Sequence, residues 1–402
     1  MRKLFHVLKE EGDVRHLIGL LVMAATPGTL CAAVSPESSS AAAPAAIDAR
    51  VKSAVDRFAA KTLDAKATAG LAVGIVQDGR FRLVQGYGFS DLENKVPVDE
   101  RTVFRIGSVT KQFTAAAILL LAERGQLSVD DPVSKYFPDF PGGGGVTLRH
   151  LLNHTSGIHN YTADGFFRAA ARQDRATNEM VSYIAQLNPL YDFKPGSAWS
   201  YSNSGYMLLG AVVEKVSGQP FNQFLNTNIL EPLELRDTAM DDLAEILPNR
   251  ARGYEVSKES PTGFANTSFI SMSAAAAAGA MRSTPADLLK WQAALFGGKL
   301  LKPKSLAMMI EPARLSDGRL TSLGRKDKQG ATPPAEYGLG LTIDRQKGRR
   351  FIGHGGSING FNAWIQSFPE ERLSVVLLTN TGGAAYAAAP QLVEAIFGAL
   401  DQ

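Results

Sequence analysis

The segment Phe104-Arg105-Ile106-Gly107-Ser108-Val109-Thr110-Lys111 leads straight into an alanine- and leucine-rich run, Ala115-Ala116-Ala117-Ile118-Leu119-Leu120-Leu121-Ala122. The run predicts a helix from Ser108 to about Arg124, stopped by Gly125. On that helix the Ser108 hydroxyl and the Lys111 amine lie one turn apart on the same face. A hydroxyl is a poor nucleophile at neutral pH until a neighbouring base takes its proton, and a lysine becomes that base when burial or positive neighbours lower its pKa. Ser108 also stands at the helix start, where free amide hydrogens and the helix dipole favour negative charge developing on a substrate oxygen. The spacing equally fits a plain helix start with an exposed lysine, so other parts of the chain have to decide.

Composition narrows the alternatives. With 402 residues, 45% apolar and 20% charged, the chain has the profile of a soluble globular protein with room for a large core and a second lobe. A net charge of +3 and the absence of a dense Lys/Arg run argue against a nucleic-acid partner. Arg2, Lys3, Lys9 and Arg15, the apolar stretch Leu17 to Met23 and the small residues at Cys31-Ala32-Ala33 predict a signal peptide over 1–33, hence an exported protein, periplasmic or secreted. Cys31 is the only cysteine, and Gly28-Thr29-Leu30 is a poor approach to a lipidated one, so the mature chain is expected to hold no disulfide and no thiolate metal site. No later apolar run reaches the length of a membrane span, and no cofactor is expected.

Ser35 to Ala46 reads as a flexible tether over 34–46, followed by an amphipathic helix from Ala49 to Leu63. Leu71 to Val76 and Phe81 to Gly88 flank Asp78-Gly79, the signature of a β-hairpin. Helical patterns then recur at Thr147 to Leu152, Asn178 to Leu187, Ser204 to Val216, Phe221 to Ile229 and from Pro285. Strand patterns return at Tyr337 to Ile343, Arg350 to His354, Phe361 to Phe368 and Leu373 to Asn380, and a helix from about Pro390 to Leu400 follows. The expected fold is α+β: an antiparallel sheet made from the early hairpin and the late strands, flanked by the terminal helices, with an inserted helical lobe. The corresponding divisions are 47–107 for the first part of the α/β domain, 108–290 for a mainly helical lobe holding the nucleophile helix, and 291–402 for the second part, with an exposed loop over 314–334.

Two further motifs bear on chemistry. Tyr201-Ser202-Asn203 precedes a helix; a phenol that ordinarily titrates near 10 serves as base or acid only beside a cation, and Lys111 is the obvious one. Asn203 offers a donor and an acceptor suited to holding a substrate amide and the lysine. In His354-Gly355-Gly356-Ser357 the glycines let a substrate approach the backbone, and the Ser357 amide can point at its carbonyl oxygen. No Gly-x-Ser-x-Gly elbow surrounds a serine. His150 and His154, four apart, lack the acidic partner of a His-Glu-x-x-His zinc site and read as packing or loop hydrogen bonds, so no metal is expected; the Gly142 to Gly145 run lacks the lysine of a phosphate loop.

Taken together these residues resemble the serine β-lactamase and penicillin-binding D,D-peptidase superfamily, nearest its class C β-lactamase, D-alanyl-D-alanine carboxypeptidase and esterase branch. Ser108-Val109-Thr110-Lys111, Tyr201-Ser202-Asn203 and His354-Gly355-Gly356 match its three motifs in order between about Leu71 and Leu400. Leu151-Leu152-Asn153-His154-Thr155-Ser156-Gly157 and Ala278-Gly279-Ala280-Met281-Arg282-Ser283-Thr284 resemble two further passages of the family. The resemblance implies a β-lactamase/transpeptidase-like fold and an acyl-enzyme formed on Ser108, with Lys111 and Tyr201 passing protons, Asn203 holding substrate and lysine, and the oxyanion between the Ser108 and Ser357 amides.

The chain departs from the family at His354 and Gly355, where many members have lysine and then threonine or serine. A permanent cation for a substrate carboxylate is thereby replaced by a titratable ring. Arg349 and Arg350 are either substitute cations or an exposed strand end, and Ser357 is a candidate for the missing hydroxyl. The implied partner is a small molecule or short peptide. D-alanyl-D-alanine carboxypeptidase, class C-like β-lactamase, carboxylesterase and a non-hydrolytic penicillin-binding or scaffold module all stay open, as does the oligomeric state.

Overall fold

The computed structural model describes residues 49–163, 171–321, 336–383 and 388–401. The leader (1–33), the tether (34–46) and residues 322–334 of the expected loop lie outside the described residues. Helix α1 (Ala49–Asp64) buries Val51, Val55 and Phe58 along one stripe, as its apolar spacing dictates. Strands β1 (Gly70–Gln77) and β2 (Arg80–Asp91) form the predicted hairpin. Asp78 and Gly79 both take positive φ, 53° and 72°, the turn that matches the right-handed twist of the paired strands.

A two-residue strand β3 (Val96–Pro97) edges the hairpin, and β4 (Phe104–Arg105) leads to the nucleophile segment. Gly107–Val109 form a 3-10 turn, so Ser108 sits one step before helix α2 (Thr110–Glu123) rather than inside it. Every residue of α2 from Thr110 to Leu121 is buried, Lys111 included, which makes it the central helix of the molecule. Around it lie α3 (Leu148–Leu152), capped by Thr147, then α4 (Thr177–Ala185), α5 (Asn203–Ser217) and α6 (Phe221–Leu225).

The chain next makes three short strands, β5 (Ala239–Met240), β6 (Tyr254–Val256) and β7 (Phe264–Asn266). The alanine-rich α7 (Met272–Gly279) and strand β8 (Met281–Ser283), neither anticipated as elements, bring the passage around Ala278 against α2. Strand β8 lies between β4 and β5 in a small sheet. Helices α8 (Pro285–Phe296) and α9 (Pro303–Met309) precede the late strands β9 (Glu336–Tyr337), β10 (Thr342–Gln346), β11 (Arg349–Ile358), β12 (Phe361–Phe368) and β13 (Leu373–Thr379), and α10 (Ala389–Leu400) follows.

The main sheet has eight strands in the order β3-β2-β1-β13-β12-β11-β10-β9, its pairs antiparallel. The early hairpin and late strands therefore meet at β1 and β13, where Leu71 faces Thr379 and Ile75 faces Val375. Alternate residues feed two cores: Leu71, Val73 and Ile75 pack with α1 and α10, while Ala72, Val76, Val376 and Leu378 pack with the helices around α2. The segment read as one strand over Tyr337 to Ile343 is two. It breaks at Gly338 to Leu341, where a side chain on Gly338 would meet the Met309 carbonyl at 2.3 Å.

Candidate active site

Two close backbone approaches build the cleft. Gly107 takes φ +50°, and a Cβ there would lie 2.8 Å from the Ser357 nitrogen. A Cβ on Gly356 would lie 2.0 Å from the Ile106 oxygen and 2.9 Å from the Ser108 nitrogen. Only glycines allow the turn before α2 and strand β11 to touch in this way, and their contact sets the Ser108 and Ser357 backbones side by side.

Lys111 is fully buried, and its Nζ lies 3.1 Å from Ser108 Oγ, 2.8 Å from Asn203 Oδ1 and 2.7 Å from the Ala278 oxygen. All three partners are uncharged, and burial pushes the amine well below the ordinary lysine range. As an ammonium, Lys111 donates to all three oxygens. In the neutral form that burial favours, the two carbonyl oxygens, which only accept, take its two hydrogens and its lone pair turns to the Ser108 hydroxyl. In the neutral form the amine and the Ser108 hydroxyl are within reach of a proton transfer.

Asn203 is the first residue of α5, and its orientation is fixed by a loop that sequence reasoning passed over. Asn203 Nδ2 donates to Thr162 Oγ1 at 3.0 Å, Thr162 Oγ1 donates to Asn160 Oδ1 at 3.0 Å, and Asn160 Oδ1 also accepts from the Asn203 backbone N–H at 3.1 Å. The Asn203 oxygen is thereby turned to Lys111. Apart from lying a few residues after the His154-Thr155-Ser156-Gly157 passage, Asn160 and Thr162 carry no signal in the sequence.

Tyr201 comes to the same place with its ring face 4.7 Å from Lys111 Nζ. His154 is a further neighbour, ring centroids 4.4 Å apart, so this histidine belongs to the wall of the cleft as well as to loop packing. His150 keeps the plain role expected of it, capping α3 with Thr147.

His354 reaches the site on β11, but its ring is almost wholly buried. Nδ1 lies 2.5 Å from the Gly355 oxygen and Nε2 lies 2.9 Å from the Tyr337 hydroxyl. Burial above all lowers its pKa, to about 3, so the ring is neutral at physiological pH. Arg349 is no substitute cation: it pairs with Asp401 and Glu371 and stacks on Phe397 at 4.2 Å, at the far end of the strand from Ser357. Arg350 stands opposite Arg345 at the same end. Gly355 and Gly356 lie along the cleft, and Ser357 is exposed. Among the described residues no group of His, Cys, Asp and Glu is arranged to hold a metal ion, and no helix is long and apolar enough to cross a membrane.

Comparison with known proteins finds relatives over most of the chain. The chain is 28% identical over 303 residues to penicillin-binding protein 4* of Bacillus subtilis, covering 73% of this chain and 64% of that one. It is 27% identical over 331 residues to the D-aminopeptidase of Gluconobacter oxydans, covering 82% of this chain and 59% of the other. It thus spans less than two thirds of the length of these two relatives. Among solved structures, D-amino acid amidase from Ochrobactrum anthropi superposes with a TM-score of 0.74 at 26% identity, over 87% of this chain and 98% of the amidase. The beta-lactamase family model matches residues 55–396, from the first helix through the cleft to the last. The chain therefore belongs to the beta-lactamase family, a family of serine hydrolases.

Proposed function

We propose that this chain is a serine hydrolase that cleaves an amide or ester through an acyl-enzyme on Ser108. The observation that carries this reading is the buried Lys111, whose Nζ lies 3.1 Å from Ser108 Oγ with the Asn203 and Ala278 oxygens as its other partners. In the proposed cycle Lys111 takes the hydroxyl proton as Ser108 Oγ attacks the acyl carbon. The Ser108 and Ser357 amides receive the oxyanion, Asn203 holds substrate and lysine, and Tyr201 delivers a proton to the leaving group. Water then displaces the acyl group by the same steps reversed.

The third motif bears on the substrate. His354 is neutral and both ring nitrogens are engaged, so it gives a substrate carboxylate neither a charge nor a free N–H. This favours small amides or esters, with the D-amino acid amides named by the amidase relative first among them. A D-alanyl-D-alanine peptide or a β-lactam, each carrying a carboxylate, is the second reading, supported by the penicillin-binding relative.

The test is intact-mass analysis and product detection after mixing the protein separately with an activated short-chain ester, D-phenylalanine amide, a D-alanyl-D-alanine peptide and a fluorescent penicillin. We expect an acyl adduct and turnover with the ester or amide, and neither with Ser108→Ala, which should remain folded. Adduct formation that survives that substitution, or no adduct and no turnover with any of the four, would overturn the reading.

A further inference from the structure

Tyr337 lies on β9, the outermost strand of the sheet, yet its side chain is 1% exposed. Its hydroxyl meets two histidines that come from opposite sides of the cleft: His154 Nε2 at 3.2 Å and His354 Nε2 at 2.9 Å. The Tyr206 oxygen, whose own hydrogen goes to the Leu152 oxygen, offers the Tyr337 O–H a second acceptor beside His354.

The partners at the two ends fix where the protons are. The Ser202 backbone N–H donates to His154 Nδ1 at 3.2 Å, so the proton of a neutral His154 is on Nε2 and is given to the Tyr337 oxygen. The Gly355 oxygen can only accept, so the His354 proton is on Nδ1 and Nε2 is left to accept from the Tyr337 O–H. With the Tyr337 hydrogen on His354 a directed chain runs from Ser202 N–H through His154, Tyr337 and His354 to the Gly355 carbonyl. Turned to the Tyr206 oxygen, that hydrogen leaves both imidazole tautomers as they are, because the backbone partners at the two ends set them.

Each end of the chain holds a part of the chemistry. His154, held at φ +63°, receives the Ser200 N–H on its carbonyl at 3.0 Å and the Ser202 N–H on its ring, and stacks on the Tyr201 ring between them. Tyr201 is thus clamped on both sides by one residue. At the other end, His354 fixes the Gly355 peptide, next to the Gly356 position that abuts the Ser108 nitrogen.

We infer that Tyr337 is a positioning residue whose hydroxyl ties the Tyr201 turn to strand β11 and so holds the proton-transfer side of the cleft in register with the oxyanion side. The inference rests on the reading of Ser108 as nucleophile and of Tyr201 as proton carrier, but the chain itself can be tested without turnover.

Long-range nitrogen-proton NMR of the wild-type imidazoles at pH 7 should show His154 as the Nε2–H tautomer and His354 as the Nδ1–H tautomer. The opposite tautomer or an imidazolium at either ring would overturn the inference whether or not the protein is an enzyme. For Tyr337→Phe, kcat with the activated ester should fall on the order of 10-fold to 100-fold with KM little changed, because small misplacements of reacting groups cost rates of that order. The amount of Ser108 that can be acylated at long times should stay equal to wild type. A kcat within twofold of wild type would overturn the tie. So would a fall in rate matched by an equal fall in the acylatable fraction, since that is unfolding and not misplacement. A wild-type protein that forms no adduct, but shows both tautomers as assigned, counts against the nucleophile reading and leaves the chain standing.

Discussion

The chain buries charge twice within a few residues of Ser108, in opposite ways. Three positions before it, Arg105 on β4 meets Asp241, whose side chain is 1% exposed, at 2.8 Å; Arg250 at 2.6 Å and Arg282 at 3.6 Å meet the same carboxylate, and Arg282 also pairs with Glu245. Three positions after it, Lys111 is just as buried and has only neutral oxygens as partners. The same two segments serve both sites, since the Ala278 carbonyl that binds Lys111 lies four residues before Arg282. Buried charges stay charged when they are paired and lean to the neutral form when they are not. The fold thus keeps one cluster of fixed ions to lock β4, β5 and β8 together and one amine whose proton is easily lost.

Removing each group should separate these roles, and this is the largest effect expected. Lys111→Met should lower kcat/KM by roughly 10²-fold to 10⁴-fold, the usual range for a general base, while the melting temperature holds or rises because an unpaired buried amine is gone. Asp241→Asn should do the reverse. It leaves Arg105, Arg250 and Arg282 facing one another, and breaking a buried ion cluster costs about 3–5 kcal/mol of stability, while the protein that stays folded should keep most of its kcat. Denaturant titration beside steady-state kinetics of the two variants checks this. A Lys111→Met protein destabilised as much as Asp241→Asn would erase the distinction.

A sharper test converts one site into the other. Asn203→Asp places a carboxylate where Oδ1 now stands, 2.8 Å from Lys111 Nζ. The new ion pair should return the lysine pKa toward its ordinary range near 10, so activity at pH 7 should drop by roughly 10-fold or more and recover as pH rises. The sign in the wild type follows from linkage. The folded-state pKa of Lys111 is lowered, so between that value and the unfolded value near 10.4 the unfolded chain holds the extra proton, and stability rises with pH across the window. In Asn203→Asp that rise should shrink. A pH–rate profile whose acid limb does not move upward would show that Lys111 is not the titrating base.

The contrast also explains what could be read without coordinates. Ser108, Lys111, Tyr201 and His354 were legible because each sits in a short local pattern: a polar residue at the head of an apolar run, a polar triplet before a helix, a histidine before glycines. The sheet was legible because its strands are short apolar runs bounded by turn residues such as Asp78-Gly79. What the pattern could not give is which side chains meet across the fold. Asp241 and the three arginines look like ordinary surface charge, Tyr337 like a strand aromatic, and His154 like half of a failed metal pair. Alanine-rich α7 lacks an amphipathic stripe because it is buried between α2 and α5, so periodicity did not announce it. His354 sat where the resemblance placed a carboxylate binder, but the orientation of its ring depends on Tyr337, which lies 17 positions away.

The smallest effect expected lies one shell out from Lys111, where its neutrality is maintained. Thr162 Oγ1 accepts from Asn203 Nδ2 and donates to Asn160 Oδ1, so it decides which end of the Asn203 amide faces the lysine. Thr162→Val keeps the shape and removes both bonds. The Asn203 amide is then free to turn its NH₂ toward Lys111, which would draw the lysine lone pair to Asn203 and away from the Ser108 hydroxyl. We expect kcat to fall by roughly 10-fold, in line with positional losses of this kind, with a stability change of about 1 kcal/mol for the lost hydrogen bonds. Asn160→Ala should give the same phenotype, and the double variant should cost little more than either single one, because the three residues act on one amide orientation. Additive losses would mean that Asn160 and Thr162 shape the loop independently, and the neutral environment of Lys111 would then owe nothing to them.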